Sequence, residues 1–161
     1  MPIMYRSPNP LPETSRERIA ESLNDRLADG LDLHSQIKVA HWNLKGPLFA
    51  SLHPLFDSFA SDLAEHNDEI AERSVTLGGT AFGTAREAAR KSRLPEYPRE
   101  ARRDLDHVQA LAERIDVFLA GLRETRALAD ELEDADTVDM LTEFITEFEK
   151  HAWFLYATLE S

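Results

Sequence analysis

HWNLKGPLFASLHPLFDSFASDLAEHNDEIAE, residues 41–72, decides how the rest of the chain is read, because its polar residues keep a spacing that helix packing does not require. From about Ser51 to Leu77 the stretch reads as one helix, with His53 and Asp57 four apart and Asp68 and Glu72 four apart. At ~100° per residue, with His53 at zero, Asp57 falls near ~40°, Asp68 near ~60° and Glu72 near ~100°. The four share one side of the helix, and Leu52, Phe56, Phe59, Leu63 and Ile70 form an apolar face beside it. At ~1.5 Å rise per residue the two pairs lie ~22 Å apart, so one metal ion cannot reach both within a chain. The positions are palindromic, however. Two copies of the helix, antiparallel about a two-fold axis near Asp62 and Leu63, would set His53 and Asp57 of one chain against Asp68 and Glu72 of the other. Closed two-fold dimers are the commonest assembly, and this one would hold two identical sites of imidazole and carboxylate.

The composition bounds what such a site belongs to. A chain of 161 residues with 42% hydrophobic and 30% charged residues is long and apolar enough for one packed domain, not a disordered segment. Only 6 glycines, many Ala, Leu, Glu and Arg, and few β-branched residues predict an all-α fold. The absence of cysteine excludes disulfides and thiolate chemistry and fits a reducing interior. No apolar run suits a leader peptide or a membrane span, so the expectation is a cytoplasmic protein with no membrane partner. A net charge of −12 argues against a broad nucleic-acid surface, since neutralising phosphates is what supplies that affinity.

Outward from the central helix, the spacing predicts three more long helices. Residues 1–13 hold four of the eight prolines and read as an extended N-terminal tail, ordered only if docked on a neighbour; residues 14–161 read as the bundle domain. Thr14 with Glu17 looks like a capping box opening a helix over 15–43, on Ile19, Leu23, Leu27, Leu31, Leu33, Ile37 and Ala40. Gly46-Pro47 breaks it, Ser51 is the expected cap of the second helix, and Pro54 falls in its first turn. Leu77-Gly78-Gly79 closes that helix. A connection with a short helical patch, Thr84 to Lys91, leads to a helix over 99–127 on Leu105, Val108, Leu111, Ile115, Phe118, Leu119 and Leu122. Asp136 with Asp139 is the expected cap of a last helix, reaching Leu159 on Met140, Leu141, Phe144, Ile145, Phe148, Trp153, Phe154 and Tyr156. Helices of this length span ~40 Å and the connection can cover ~50 Å, so it can return along the whole bundle. Four helices with one long crossover form the ferritin-like topology.

One i, i+4 His–Asp pair is ordinarily a solvated face. The matched pairs, with His41 twelve residues before His53 across a tight loop, outweigh that reading. His41, His53 and Asp57 with Asp68 and Glu72 of a second copy make an imidazole–carboxylate set that suits Fe(II), Mn(II) or Zn(II). The intrachain alternative in such bundles, two Glu-x-x-His motifs on facing helices, is missing; the nearest is Asp104-x-x-His107. His34 reads as lying behind the ligands, while His66, His107 and His151 read as packing or polar-face residues. Trp42 reads equally as core or as a neighbour of the metal, and Trp153 as packing. Glu131, Glu133, Asp134, Asp136 and Asp139 exceed what a helix cap needs, so a cation path at a symmetry axis stands beside the capping reading.

With these residues placed, the chain resembles the Dps family, the ferritin-like DNA-protection proteins of starved bacterial cells. The resemblance covers about residues 15–160 and rests on HWNLKG (41–46), LHPLFD (52–57), EHNDEIAERSVTLGG (65–79), SRLPEYP (92–98) and DADTVDML (134–141). It implies a hollow homododecamer built from two-fold dimers, with His41, His53 and Asp57 binding iron together with Asp68 and Glu72 of the partner subunit. It further implies a ferroxidase that turns Fe(II) into Fe(III), preferably with hydrogen peroxide, and stores ferric oxide, protecting DNA by consuming both reactants of radical chemistry. Asp134, Asp136 and Asp139 match an acidic lining of three-fold entry pores. The departure is in the tails: DNA-condensing members carry lysine-rich extensions, whereas here the only lysines are Lys38, Lys45, Lys91 and Lys150. Weak or absent DNA binding is therefore expected, the alternative being a DNA-compacting nucleoid protein with secondary ferroxidase activity.

Overall fold

The computed structural model describes residues 3–160; residues 1, 2 and 161, at the outer ends of the expected tail and bundle, lie outside it. The described residues form five helices and no strand: α1 Glu13–Asn43, α2 Phe49–Thr76, α3 Ala85–Lys91, α4 Asp104–Glu131 and α5 Ala135–Leu159. Among the described residues no helix is long and apolar enough to cross a membrane.

α1 and α2 form one antiparallel hairpin, α4 and α5 another, and the crossover between them carries α3 along α1. The crossover brings the start of α4 back to the α1–α2 turn, where the Asp104 N–H donates to Lys45 O at 2.8 Å and Leu48 N–H donates to the buried Asp104 carboxylate at 2.9 Å. α4 therefore runs parallel to α2, and α5 antiparallel to it. Asp104, expected only as part of a weak ligand motif, is a structural tie, and His107 is hydrogen-bonded through Nδ1 to the Tyr97 hydroxyl. The crossover is tied to α1 by Arg93 N–H donating to Asp29, Ser92 hydroxyl to Asp32, and Gln36 amide to Pro95 O. Asp29 is buried and paired with buried Arg26 at 3.2 Å, so neither charge is left unpaired in the interior.

The core sits between the hairpins, with Phe56, Phe59, Phe118, Phe144 and Phe148 fully buried among Ile, Leu and Val side chains. The apolar face expected on the central helix is buried in full. Leu105 and Trp153, expected in the core, are 44% and 62% exposed and lie on outer faces.

The helix ends differ from the sequence expectations for identifiable reasons. α1 has no side-chain cap; the Ser15 and Arg16 N–H groups donate to Pro12 O, and Thr14 and Glu17 both fall inside the helix. α2 starts two residues before Ser51, because Asp104 satisfies the Leu48 N–H from another element. Pro54 consequently lies inside the helix, beyond its first turn. α4 starts five residues later than 99 and runs past 127 to Glu131. Asp134 caps α5, in place of Asp136, by accepting from the Thr137 N–H. At the other end of α2 the expected glycine chemistry is present. Gly78 has φ +96°, a region that L side chains resist; its N–H and that of Gly79 return to Val75 O and Ser74 O. The extended N-terminal segment docks on its own chain: Tyr5 N–H donates to Gly78 O at 2.7 Å and Ser7 hydroxyl to Thr76 O at 2.7 Å.

Candidate metal centre

Gly46, with φ +136°, lets the chain reverse between α1 and α2. This places His41, in the last turn of α1, against His53, in the second turn of α2. The rings stack with centroids 3.7 Å apart and planes 13° from parallel. Each ring is fixed by the other's backbone: His41 Nδ1 lies 2.6 Å from His53 O, and His53 Nδ1 lies 2.8 Å from His41 O. A carbonyl oxygen only accepts, so both Nδ1 atoms carry a proton, and in the neutral ring the lone pair is left on Nε2. That is the tautomer a metal ligand needs, fixed before any metal arrives.

Asp57 stands one turn beyond His53, exposed, with Oδ1 3.9 Å from His41 Nε2 and 2.7 Å from the Lys38 ammonium. The hydrogen bond from Lys38 and its positive charge hold the Asp57 carboxyl below its usual range. Lys38 thus holds the position a metal cation would compete for. His34, one turn before Lys38, is half-buried, and burial followed by the Lys38 charge lowers its pKa.

Asp68 and Glu72 lie further along the same exposed face and do not meet His41, His53 or Asp57 within the chain. Between the two groups the face shows the small residues Ser61 and Ala64, both exposed. Leu63 is fully buried and Asp62 turns toward α5, so a two-fold axis at this level would pass over Ser61 and Ala64. Trp42 is 66% exposed, which removes the core reading and leaves it beside His41.

In the acidic turn, Asp134 is buried and engaged inside the chain, accepting from Arg73 Nη2 at 2.8 Å and from Thr137. It does not face outward as a pore lining requires. Asp136 and Asp139 are exposed.

A second cluster was not foreseen as a site. Asp62 and His66 on α2 meet Glu147 and His151 on α5, and Asp62, Glu147 and His151 place ligand atoms within 4.8 Å of one another. Its i, i+4 spacing was visible in the sequence; that the two pairs face each other was not. A cavity of about 600 Å³ between the N-terminal segment and α1 is lined by no histidine.

The comparisons agree with this architecture. A ferritin-like domain matches residues 20–161. The DNA protection during starvation protein of Agrobacterium fabrum is 37% identical over 156 residues, covering 97% of this chain and 96% of that protein. The protein of the same description from Mycolicibacterium smegmatis is 35% identical over 146 residues, covering 89% and 78%. Among solved structures, DpsC from Streptomyces coelicolor superposes with a TM-score of 0.92 at 31% identity, over 98% of this chain and 92% of that one. The DPS protein from Vibrio cholerae O1, a member of a broad superfamily of ferritin-like diiron-carboxylate proteins, superposes with a TM-score of 0.91 at 27% identity, over 99% and 100%.

Proposed function

The chain belongs to the ferritin-like family of DNA protection during starvation (Dps) proteins, and from that premise we propose that it stores iron by oxidising Fe(II) at sites shared between two subunits. His41, His53 and Asp57 of one subunit hold the ferrous substrate with Asp68 and Glu72 of the partner subunit. The observation that carries the reading is the reciprocal locking of His41 and His53 through Nδ1, which leaves both Nε2 atoms free to serve as ligands beside an acidic, uncovered helix face.

The roles follow from the residue chemistry. The imidazoles bind without adding charge, and the carboxylates neutralise the cation and favour the ferric product, which carries one more positive charge. Lys38 leaves Asp57 when iron enters. Hydrogen peroxide, the preferred oxidant, takes one electron from each of two ferrous ions and, with two protons, leaves as two waters. Trp42, exposed beside His41, takes up oxidising equivalents that escape the iron. Twelve subunits arranged as two-fold dimers enclose the ferric oxide, with Asp136 and Asp139 drawing cations toward the entry paths. DNA is protected in the cytoplasm by removal of iron and peroxide.

Anaerobic Fe(II) titration of the sized oligomer, followed by peroxide, tests this. Iron and peroxide should disappear together; failure to consume peroxide sinks the proposal. The alternative, DNA compaction, is disfavoured by the charge of −12 and by the backbone docking of the N-terminal segment. A gel shift at low salt should show no saturable retention of DNA.

A further inference from the structure

The α2–α5 seam holds four titratable side chains that the proposed oxidation does not use. His151 Nε2 is 2.9 Å from Asp62 Oδ2 and 3.8 Å from Glu147 Oε1, and His66 Nε2 is 3.1 Å from Glu147 Oε2. The imidazoles form the floor: His66 is 6% and His151 8% exposed. Nδ1 of His66 and Nδ1 of His151 have no hydrogen-bond partner, which is costly at that depth, and His66 Nε2 lies close to Glu147 Oε2 without the alignment of a hydrogen bond. The rings cannot easily turn outward, since Phe59 stacks on His151 at 4.2 Å, Phe144 lies 4.0 Å from His66, and Phe148 meets both edge-on. Asp62 and Glu147 are partly exposed and form a mouth open to solvent.

We propose that Asp62, Glu147 and His151, with His66 behind Glu147, bind a divalent transition-metal ion within a single chain. Nitrogen and oxygen donors without thiolate suit Zn(II), Fe(II) or Mn(II). Donors around such an ion stand ~2.0–2.2 Å from it, and the three ligand atoms already lie within 4.8 Å of one another, with the two partly exposed carboxylates able to adjust around the packed imidazole. The ion would take Nε2 of His151 together with the two carboxylates and replace a proton. Burial, then the hydrogen bond and charge of Asp62, with Glu143 and Glu65 beyond, push Glu147 up to about 7, so the carboxylate pair retains a proton near neutrality. The site is separate from the shared one: it needs no partner subunit, and its residues lie on another face of α2.

Zn(II) is the probe, measured by equilibrium dialysis on the assembled protein carrying His53→Ala and Asp57→Ala, which disable the shared site. One Zn(II) per chain should remain, and adding Asp62→Asn with His151→Gln should weaken its binding at least about 100-fold. An unchanged zinc stoichiometry and affinity in that folded quadruple variant overturns the proposal. Should that variant fail to assemble, the unmodified protein is crystallised and soaked in Zn(II). Anomalous density between Asp62 and His151 supports the site, and none there while zinc fills other positions overturns it. Because the zinc reading is taken with the shared site disabled, a failed iron-oxidation assay leaves it intact.

Discussion

α2 carries two kinds of metal-binding chemistry on two faces, and the contrast between them is instructive. His53 and Asp57 lie on the outer face, where His41 joins them from α1, and the set stays incomplete because Asp68 and Glu72 are ~22 Å away along the helix. Asp62 and His66 lie on the opposite border of the apolar face, at roughly 180° and 220° on the same wheel, and meet Glu147 and His151 in the same chain. The residue types and the i, i+4 spacing are alike. What differs is the neighbour within the chain: solvent on one face, and the antiparallel helix α5 on the other. The histidines differ accordingly. Those of the outer face are oriented by backbone carbonyls, whereas those of the seam are held by aromatic packing and by the Asp62 and Glu147 carboxylates.

The largest effect that separates the two regions is expected from His53→Ala with Asp57→Ala. Iron oxidation by peroxide should fall on the order of 100-fold or more in an intact oligomer, because the iron loses two ligands. A wild-type rate, followed by ferric absorbance, would leave the outer face a mere polar stripe. Next is Ala64→Glu, which sets like charges against each other where two copies of α2 would cross. Subunits should separate in sedimentation and lose oxidation roughly 100-fold with every ligand still present, yet retain zinc at the seam. Monomers that still oxidise iron at full rate would break the dimer argument.

A smaller effect is the pH response of zinc at the seam. With Glu147 near 7, Zn(II) competes with a proton below that pH, so affinity should drop up to about tenfold per pH unit as the pH falls. A flat titration between pH 7 and 5 would remove Glu147 from the ligand set.

The same carboxyl predicts a stability change in metal-free protein. Its pKa rises from 4.5 to about 7 on folding, so its stabilisation is complete below 4.5 and is lost as the pH rises through 7. Glu147→Gln cannot ionise and should melt about 3 °C above the unmodified protein at pH 8, with a smaller gain at pH 5. His66 has the opposite limb. Burial lowers its pKa from 6.5 to about 4, so its stabilisation is present above 6.5 and disappears as the pH falls through 4. The smallest effect is expected from Lys38→Gln. Removing the cation that competes for Asp57 should tighten Zn(II) at the outer site by less than about tenfold, and weaker binding would mean that Lys38 supports the site.

Much of this was legible in residue spacing. The apolar face of α2, the Gly78 turn, the long crossover and the outer-face histidines all follow from local periodicity and turn chemistry. The places where spacing misled are those where a distant element supplied the missing partner. Ser51 looked like the cap of α2, but Asp104 reaches across from α4 to the Leu48 N–H. Asp134 looked like an outward carboxylate, but Arg73 draws it inside. His66 and His151 looked like packing residues; they are buried, and they also close on two carboxylates.

The sequence by itself therefore determined the helices, their apolar faces and the placement of His53, Asp57, Asp68 and Glu72 along one side of α2, because these depend on periods of three to four residues. Only the tertiary structure decided the tautomers of His41 and His53, the engagement of Asp134 and the existence of the seam cluster. Those depend on contacts between residues 12, 61 and 89 positions apart, and such contacts arise from how helices pack, which no local spacing encodes.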